Sequence, residues 1–326
     1  MVFVTIFRND EFAVFYVGNG GAHTARAFAK IHFIHELIVT DDFLFVVAGF
    51  CANGYSFYMN ERIDFAFLDS GTGGIPYMLA LKEKCPNAHC VYLGDTAHFP
   101  YGEKSPKLVA DCASEAVNLI NRLWNPRAIV IACNTISVTA LDLLRARFPN
   151  LPLVGTVPAI KLAAKLSKNR KIGLLATKAT VSNPYTDKLC ADFASDCTVF
   201  RRGDSNLVRF IEEKFFTSTK DERKEACRGA IEFFAQNDCD VIVLACTHFT
   251  HIATDFAEFA GKGVLVVDSR DGVAKQALRV CPLDENADKK TFLQDCAFFV
   301  TKADSRAIEE YKTLCKNCKI PWGGIV

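Results

Sequence analysis

The sequence carries almost no net charge and has no long apolar run. Its 326 residues contain 38 Lys and Arg against 37 Asp and Glu, a formal net charge of +1, which gives no basic surplus for nucleic acid or an acidic membrane surface. The longest apolar candidate, at 43–50, is shorter than the roughly 18 residues of a membrane helix. Met1-Val2-Phe3 lacks the basic start of a signal peptide. We therefore expect a cytoplasmic protein without nucleic-acid or membrane partners.

A metal-binding cysteine pattern is also missing. The 14 cysteines are scattered, and the single C-x-x-C, Cys315 to Cys318, has no partner pair. We interpret the cysteines as mostly buried thiols of a reducing compartment and expect no metal site. Apolar residues make up 50% of the chain and charged residues 23%, enough for a sizeable core. The length favours two domains, although one large α/β domain is an alternative.

Two similar stretches organise the chain. Ala128 to Thr135 reads A-I-V-I-A-C-N-T, and Val241 to His248 reads V-I-V-L-A-C-T-H. Each is an apolar run of strand length that ends in Ala-Cys, followed by residues suited to open a helix. Ligands of open α/β sheets bind at the carboxyl ends of strands. Backbone N–H groups there favour a thiolate and lower a thiol pKa, so the two cysteines are candidates for a matched acid and base.

The surrounding pattern indicates a duplicated α/β unit. From Ile63 strands and helices alternate, and the pattern restarts at about Lys171. Asp69 precedes Cys133 by 64 positions and Thr177 precedes Cys246 by 69. We predict two pseudo-symmetric α/β domains, residues 63–155 plus 270–326 and residues 156–269. Each is a mostly parallel sheet flanked by helices, with the active site in the cleft between them.

Residues 1–62 differ from the rest of the chain. Ten of the 27 phenylalanines lie within 1–58. The strand-like pieces Val2–Phe7, Phe12–Val17 and Phe43–Phe50 have no helical period between them. One interpretation is a small appended β-rich segment. The other is a mis-assigned start, with the functional chain beginning at Met59.

Two cysteines facing one cleft suit a transfer in which a proton leaves one face of a carbon and returns to the other. One sulfur must be a thiolate and the other a thiol. Asp69 is placed to assist Cys133, and His248 to assist Cys246. Substrate carboxylates and an ammonium group would be held by small polar residues: Ser70, Asn134, Thr135, Thr180 and Thr247. A lone cysteine after an apolar strand is usually a packing residue, and a D-S-G-x-G-G turn alone is also compatible with a phosphate loop. The joint occurrence in both units favours catalysis.

Four motifs in order carry a resemblance to a known family. They are Asp69-Ser70-Gly71-x-Gly73-Gly74; Gly94-Asp95-Thr96-Ala97 with Pro100-Tyr101-Gly102-x-Lys104-Ser105; Ala132-Cys133-Asn134-Thr135; and Cys246-Thr247-His248-Phe249. Over about 63–313 the chain resembles the glutamate racemases of bacterial cell-wall synthesis. Val154 to Lys161 and Leu175 to Thr177 are similar to the longer, proteobacterial-type members.

The resemblance implies a cofactor-independent 1,1-proton transfer that interconverts L- and D-glutamate and supplies D-glutamate for peptidoglycan. Glutamate would be the small-molecule partner, and a homodimer stays open. Cys133 and Cys246 would be the two acid/base thiols. The resemblance places these residues around the substrate: Asp69, Ser70, Tyr101, Gly102, Asn134, Thr135, Thr247 and His248.

The sequence departs from the family at two positions of the shared region. Ala245 stands where glycine is usual, and we expect its methyl group to tighten the pocket. Arg209 stands where many members have Glu near the second thiol, and either Glu212 or Glu213 is a candidate replacement.

Rival functions remain. Aspartate racemases typically have Glu rather than His after Cys-Thr, so His248 favours glutamate. A non-catalytic binding protein would not need both cysteines and both assisting groups. A hydantoin racemase or thiol-dependent decarboxylase is not expected to combine Asp69-Ser70 with Thr247-His248.

Overall fold

The computed structural model describes residues 63–283 and 296–326 in full, together with the backbone of five strands before residue 45. Contacts divide the chain into two compact units, Met1–Tyr58 and Met59–Val326. Within these described ranges, no helix is long and apolar enough to cross a membrane.

The first unit contains short antiparallel strands. β1 (Val2–Phe7), β2 (Glu11–Gly18) and β3 (Gly21–Thr24) form a three-stranded sheet, and β4 (Val39–Thr40) pairs with β5 (Phe43–Leu44). The first two predicted strands are therefore confirmed. The predicted third strand is confirmed only at Phe43–Leu44, because its remainder lies outside the described residues.

The second unit alternates strands and helices. In chain order its elements are β6 (Phe65–Asp69), α1 (Ile75–Lys84), β7 (Cys90–Gly94), α2 (Pro106–Trp124), β8 (Ala128–Ile131), α3 (Asn134–Arg147), β9 (Leu153–Gly155), α4 (Ile160–Leu166), β10 (Lys171–Ala176), α5 (Lys178–Val181), α6 (Pro184–Phe193), β11 (Thr198–Gly203), α7 (Ser205–Lys214), α8 (Lys220–Gln236), β12 (Val241–Ala245), α9 (Ala253–Ala260), β13 (Leu265–Val267), α10 (Arg270–Val280), β14 (Cys296–Val300), α11 (Ser305–Cys318) and β15 (Trp322–Ile325).

These strands form two parallel sheets with a shared strand order. The first sheet runs β15-β14-β7-β6-β8-β9 and the second runs β11-β10-β12-β13. In chain order β6 is the first strand of the first sheet, and it pairs with β8, the strand before Cys133. Likewise β10 is the first strand of the second sheet, and it pairs with β12, the strand before Cys246. Sheet membership follows the predicted boundaries at 155 and 270, which themselves stay a prediction. The chain returns to the first sheet through β14 and continues into β15.

The inner strands of both sheets are buried on their two faces, as is typical of parallel sheets. Along β6, Phe65 and Phe67 join one apolar cluster while Ala66 and Leu68 join the cluster on the opposite face. The helix starts follow local chemistry. Ser105 caps α2 with its side chain before a proline at the first helical position, and Asn183 does the same before α6.

Candidate active site

The two cysteines of the repeated stretches follow β8 of the first sheet and β12 of the second sheet. Cys133 is the N-cap residue of α3, just after β8. Cys246 precedes the 3-10 helix Thr247–Thr250, just after β12. Each is only 4% exposed, and both line one pocket. The structure thus delivers one thiol from each sheet to a shared site.

Most of the predicted site residues lie on this pocket. Besides the two cysteines, the lining includes Asp69, Ser70, Tyr101, Gly102, Asn134, Thr135, Thr247 and His248. The other lining residues were not among the predicted site residues, although Arg209 was expected near the second thiol: Phe99, Pro100, Glu103, Thr177, Ser205, Val208 and Arg209. Several of these come from the 3-10 helix Tyr101–Glu103 and from α7, which carry no recognisable strand-end signal.

Asp69 connects the two walls of the pocket. Its carboxylate accepts hydrogen bonds from the Ser70 amide at 2.7 Å and from Thr247 Oγ1 of the second sheet at 3.1 Å. It also shares a hydrogen bond with the Cys133 thiol. Burial raises the Asp69 pKa, and the His248 charge and the hydrogen bonds from Cys133 and Ser70 only partly oppose this rise. Asp69 is therefore a carboxyl group that can exchange a proton with Cys133.

The predicted lowering of the Cys133 pKa is wrong for this structure. Burial and the nearby Asp69 charge raise the pKa of the Cys133 thiol well above its ordinary value. A backbone N–H bond from Ile136, at the start of α3, acts in the expected direction but is outweighed. Desolvation penalises a thiolate more than one N–H group stabilises it. In this state Cys133 is a proton donor.

His248 lies beside the other thiol. Its Nδ1 is 3.9 Å from Cys246 Sγ, and its Nε2 is 3.0 Å from Glu212 Oε2. Burial favours neutral imidazole, but the hydrogen bonds with Cys246 and Glu212 raise the His248 pKa well above its ordinary value. Protonated His248 can therefore pass a proton to a Cys246 thiolate, and neutral His248 can take one from the Cys246 thiol.

Of the two candidate replacements named for the glutamate near the second thiol, Glu212 is the one that lies there. It is 6% exposed, and it accepts hydrogen bonds from Thr72 N at 2.8 Å, Thr72 Oγ1 at 2.6 Å and Tyr311 OH at 3.2 Å. Burial acts to raise its pKa, but the His248 and Thr72 contacts lower it overall. Glu212 is thus the carboxylate next to His248, whereas Glu213 is exposed and Arg209 lies on the pocket wall.

The glycines of the D-S-G-x-G-G turn allow this close packing. A Cβ atom at Gly71 would lie 2.5 Å from Glu212 Oε2, and one at Gly73 would lie 2.5 Å from His248 Nδ1. Real Cβ atoms do not approach other atoms so closely, so a larger residue would push Glu212 or His248 away. The turn after β6 is therefore shaped to receive side chains of the second sheet.

Two other expectations are corrected. Thr180 is not on the pocket wall: it lies behind Thr177, whose Oγ1 is 3.0 Å from its own Oγ1 and 3.0 Å from that of Thr135. Thr177 is the lining residue because it ends β10, as Asp69 ends β6. The Ala245 methyl group does not tighten the pocket. Successive strand residues face opposite sides, and Ala245 packs in the cluster on the other face from Cys246.

Asn134 is a buried polar residue whose side chain has no hydrogen-bond partner among the described residues. It lines the pocket and is 2% exposed, yet neither its Oδ1 nor its Nδ2 makes a hydrogen bond to the described residues. Unsatisfied buried amides are rare and costly in native proteins. A ligand with both a donor and an acceptor would satisfy this side chain. Among the residues with described side chains, no cluster of three or more His, Cys, Asp or Glu is arranged to hold a metal ion.

The pocket contains one thiol from each sheet, and each thiol lies beside its own acid–base group. This arrangement defines the class of protein. It is an α/β protein whose site suits proton removal from one face of a carbon and proton return to the other, as in two-base racemases. Residues 77–277 match the Asp/Glu/Hydantoin racemase family, and the chain belongs to this family.

Individual relatives are glutamate racemases. One from Treponema pallidum is 37% identical over 267 residues, which cover 82% of this chain and 97% of that protein. One from Proteus mirabilis is 37% identical over 258 residues, which cover 78% and 86%. The resemblance based on four motifs is thereby confirmed.

Solved structures agree in fold. Escherichia coli glutamate racemase, in complex with L-glutamate and the activator UDP-MurNAc-ala, matches with a TM-score of 0.71 and 28% identity, covering 82% of this chain and 98% of that chain. Glutamate racemase from Aquifex pyrophilus matches with a TM-score of 0.60 and 25% identity, covering 78% and 94%. The predicted fold class, α/β with parallel sheets flanked by helices, is confirmed.

Proposed function

We propose that the protein is a cofactor-independent glutamate racemase that interconverts L- and D-glutamate. The observation that carries this proposal is the pairing of thiols: Cys133 with Asp69 and Cys246 with His248 meet at one pocket. Family membership and the names of the relatives support the same reaction. Supply of D-glutamate for peptidoglycan is part of the proposal.

The reaction needs one deprotonated sulfur at a time. In one direction Cys246 first gives its proton to His248. The resulting thiolate then removes the α-proton of glutamate. Cys133 then gives its proton to the opposite face of the α-carbon and is reprotonated through Asp69. In the other direction the sulfurs exchange roles. Because the reacting sites are buried, water does not compete for the carbanion-like carbon.

The neutral polar residues of the pocket would hold the substrate. The unpartnered Asn134 amide supplies a donor to a carboxylate and an acceptor to an ammonium group. Ser70, Thr135 and Thr247 offer hydroxyl groups, and the Tyr101–Gly102 segment offers backbone N–H groups. These residues bind the substrate in our proposal, and Thr177 joins them.

A deuterium experiment tests the function. The protein is incubated in D2O with L-glutamate and, separately, with L-aspartate, while optical rotation and deuterium at the α-carbon are followed. We expect both loss of rotation and α-deuteration with glutamate only. Activity on aspartate alone would favour the aspartate racemase alternative. Binding of glutamate without exchange would favour a non-catalytic binding protein.

Location and assembly belong to the same proposal. A cytoplasmic location fits the cysteines, most of which are buried in the part of the chain that the structure describes. A homodimer is tested by light scattering of the purified chain, for which a monomer mass of 36.1 kDa is the reference.

A further inference from the structure

Arg209 and Glu103 face each other at the pocket. Arg209 lies on α7, and Glu103 ends the 3-10 helix Tyr101–Glu103. Arg209 Nη2 is 3.8 Å from Glu103 Oε1, and the side chains are 51% and 43% exposed. Such a long, solvated ion pair contributes little to the free energy of folding. Both residues line the pocket, so the pair marks its less buried end and is easily exchanged for another contact.

The guanidinium group is available to a ligand. Among the described residues it makes the ion pair with Glu103 but no hydrogen bond. The other basic lining residue, His248, already contacts Cys246 and Glu212 through its two ring nitrogens. Of the lining residues named above, Arg209 is therefore the one with a permanent cation and free N–H donors.

The substrate chemistry requires a second anion site. The α-carbon must lie next to two thiols that are each 4% exposed, so the α-ammonium and α-carboxylate groups occupy the buried end. The distal carboxylate of a dicarboxylic amino acid then extends toward the exposed end. A guanidinium group binds a carboxylate through two parallel N–H bonds, which an ammonium group cannot reproduce.

We propose that Arg209 is a specificity-determining residue that binds the distal carboxylate of the substrate in exchange for Glu103. The inference rests on the proposed function and adds the residue that distinguishes glutamate from its uncharged amide. In the free enzyme Glu103 forms an ion pair with the Arg209 guanidinium group, and the substrate carboxylate displaces Glu103 when it binds.

The test compares two ligands that differ in one charge. Dissociation constants of L-glutamate and L-glutamine are measured by calorimetry for the full-length wild type, Arg209→Gln, Arg209→Lys and Glu103→Gln. Arg228→Gln is the matched control, because Arg228 is exposed, pairs with a glutamate on its own helix and is not a lining residue. Thermal midpoints show whether each variant is folded.

We expect Arg209→Gln to reduce the preference for glutamate over glutamine about tenfold or more, with a smaller loss in Arg209→Lys. In racemisation kinetics of the same variants, the change should fall mainly on the KM for glutamate rather than on kcat. Glu103→Gln should bind glutamate more tightly, and Arg228→Gln should match the wild type.

An unchanged glutamate-to-glutamine preference in folded Arg209→Gln would overturn the inference, and so would weaker glutamate binding in Glu103→Gln. Those outcomes are separate from failure of the proposed function. If the proposed function failed, the wild type itself would neither deuterate nor racemise glutamate.

Discussion

The buried Glu212 carboxylate offers a sharp test of the site's electrostatics. Glu212→Gln keeps the size of the side chain but removes the charge beside His248, 3.0 Å away. The amide also cannot accept all the hydrogen bonds that Thr72 and Tyr311 donate to the carboxylate. Removing one partner of a buried ion pair typically destabilises a protein by about 3–5 kcal/mol. We expect a loss of about 3 kcal/mol, because the amide keeps one acceptor oxygen.

The loss should depend on pH in a defined direction. The pKa of Glu212 is lowered from 4.5, so its contribution is present above pH 4.5 and is lost as pH falls through the folded-state pKa. The pKa of His248 is raised from 6.5, so its contribution is complete below pH 6.5 and is lost as pH rises through the folded-state pKa. The difference between wild type and variant should therefore be largest between pH 4.5 and 6.5.

Urea unfolding at several pH values measures this difference. Glu213→Gln is the matched control, since Glu213 is the adjacent, exposed residue, and it should change the free energy of unfolding by less than about 0.5 kcal/mol. If Glu212→Gln lost less than about 1 kcal/mol, or lost the same amount at every pH, the ionised Glu212–His248 pair would be refuted.

Three further predictions concern catalysis and the N-terminal segment. Cys133→Ser and Cys246→Ser should each abolish racemisation, and glutamate should protect against thiol alkylation; near-normal turnover in either variant would remove the two-base mechanism. The profile of kcat/KM against pH should be bell-shaped, with limbs that belong to the coupled thiols. Because the substrates are enantiomers, both directions must give the same profile, and a flat profile from mildly acidic to strongly alkaline pH would contradict the mechanism. A chain starting at Met59 should fold and racemise like the full chain, as judged by thermal midpoint and turnover; loss of soluble, active protein would show that residues 1–58 are a structural requirement.

The predictable part of the fold is the part with strong local signals. Cysteine strands β8 and β12 are apolar runs with a helix start behind them, so both their type and their end were readable. β11 (T-V-F-R-R-G) and β15 (W-G-G-I) have no such run. They become strands because a neighbouring strand offers hydrogen bonds, which is a tertiary effect that sequence periodicity does not report.

The site residues could be predicted from the sequence to the same extent as the fold. Strand-end residues such as Asp69 and Cys133 follow from position in the chain, whereas Glu212 reaches His248 only because α7 packs against the 3-10 helix Thr247–Thr250, which is a tertiary contact. The resemblance named Glu212 and Glu213 as alternatives, and only the packing of α7, which buries Glu212 and exposes Glu213, distinguishes them. The Cys133 pKa was misjudged for a related reason. The N-terminal helix effect is local, but burial and the Asp69 charge depend on how the whole pocket is assembled.

The return of the chain to the first sheet has a mechanical consequence. The polypeptide leaves that sheet once, after β9, and comes back once, between β13 and α10. A body joined through one covalent linker can turn in any direction, whereas a body joined through two has a single easy motion, rotation about the line between the linkers. We expect any relative motion of the two sheets to be a rotation about that line, which would keep Cys246 opposite Cys133.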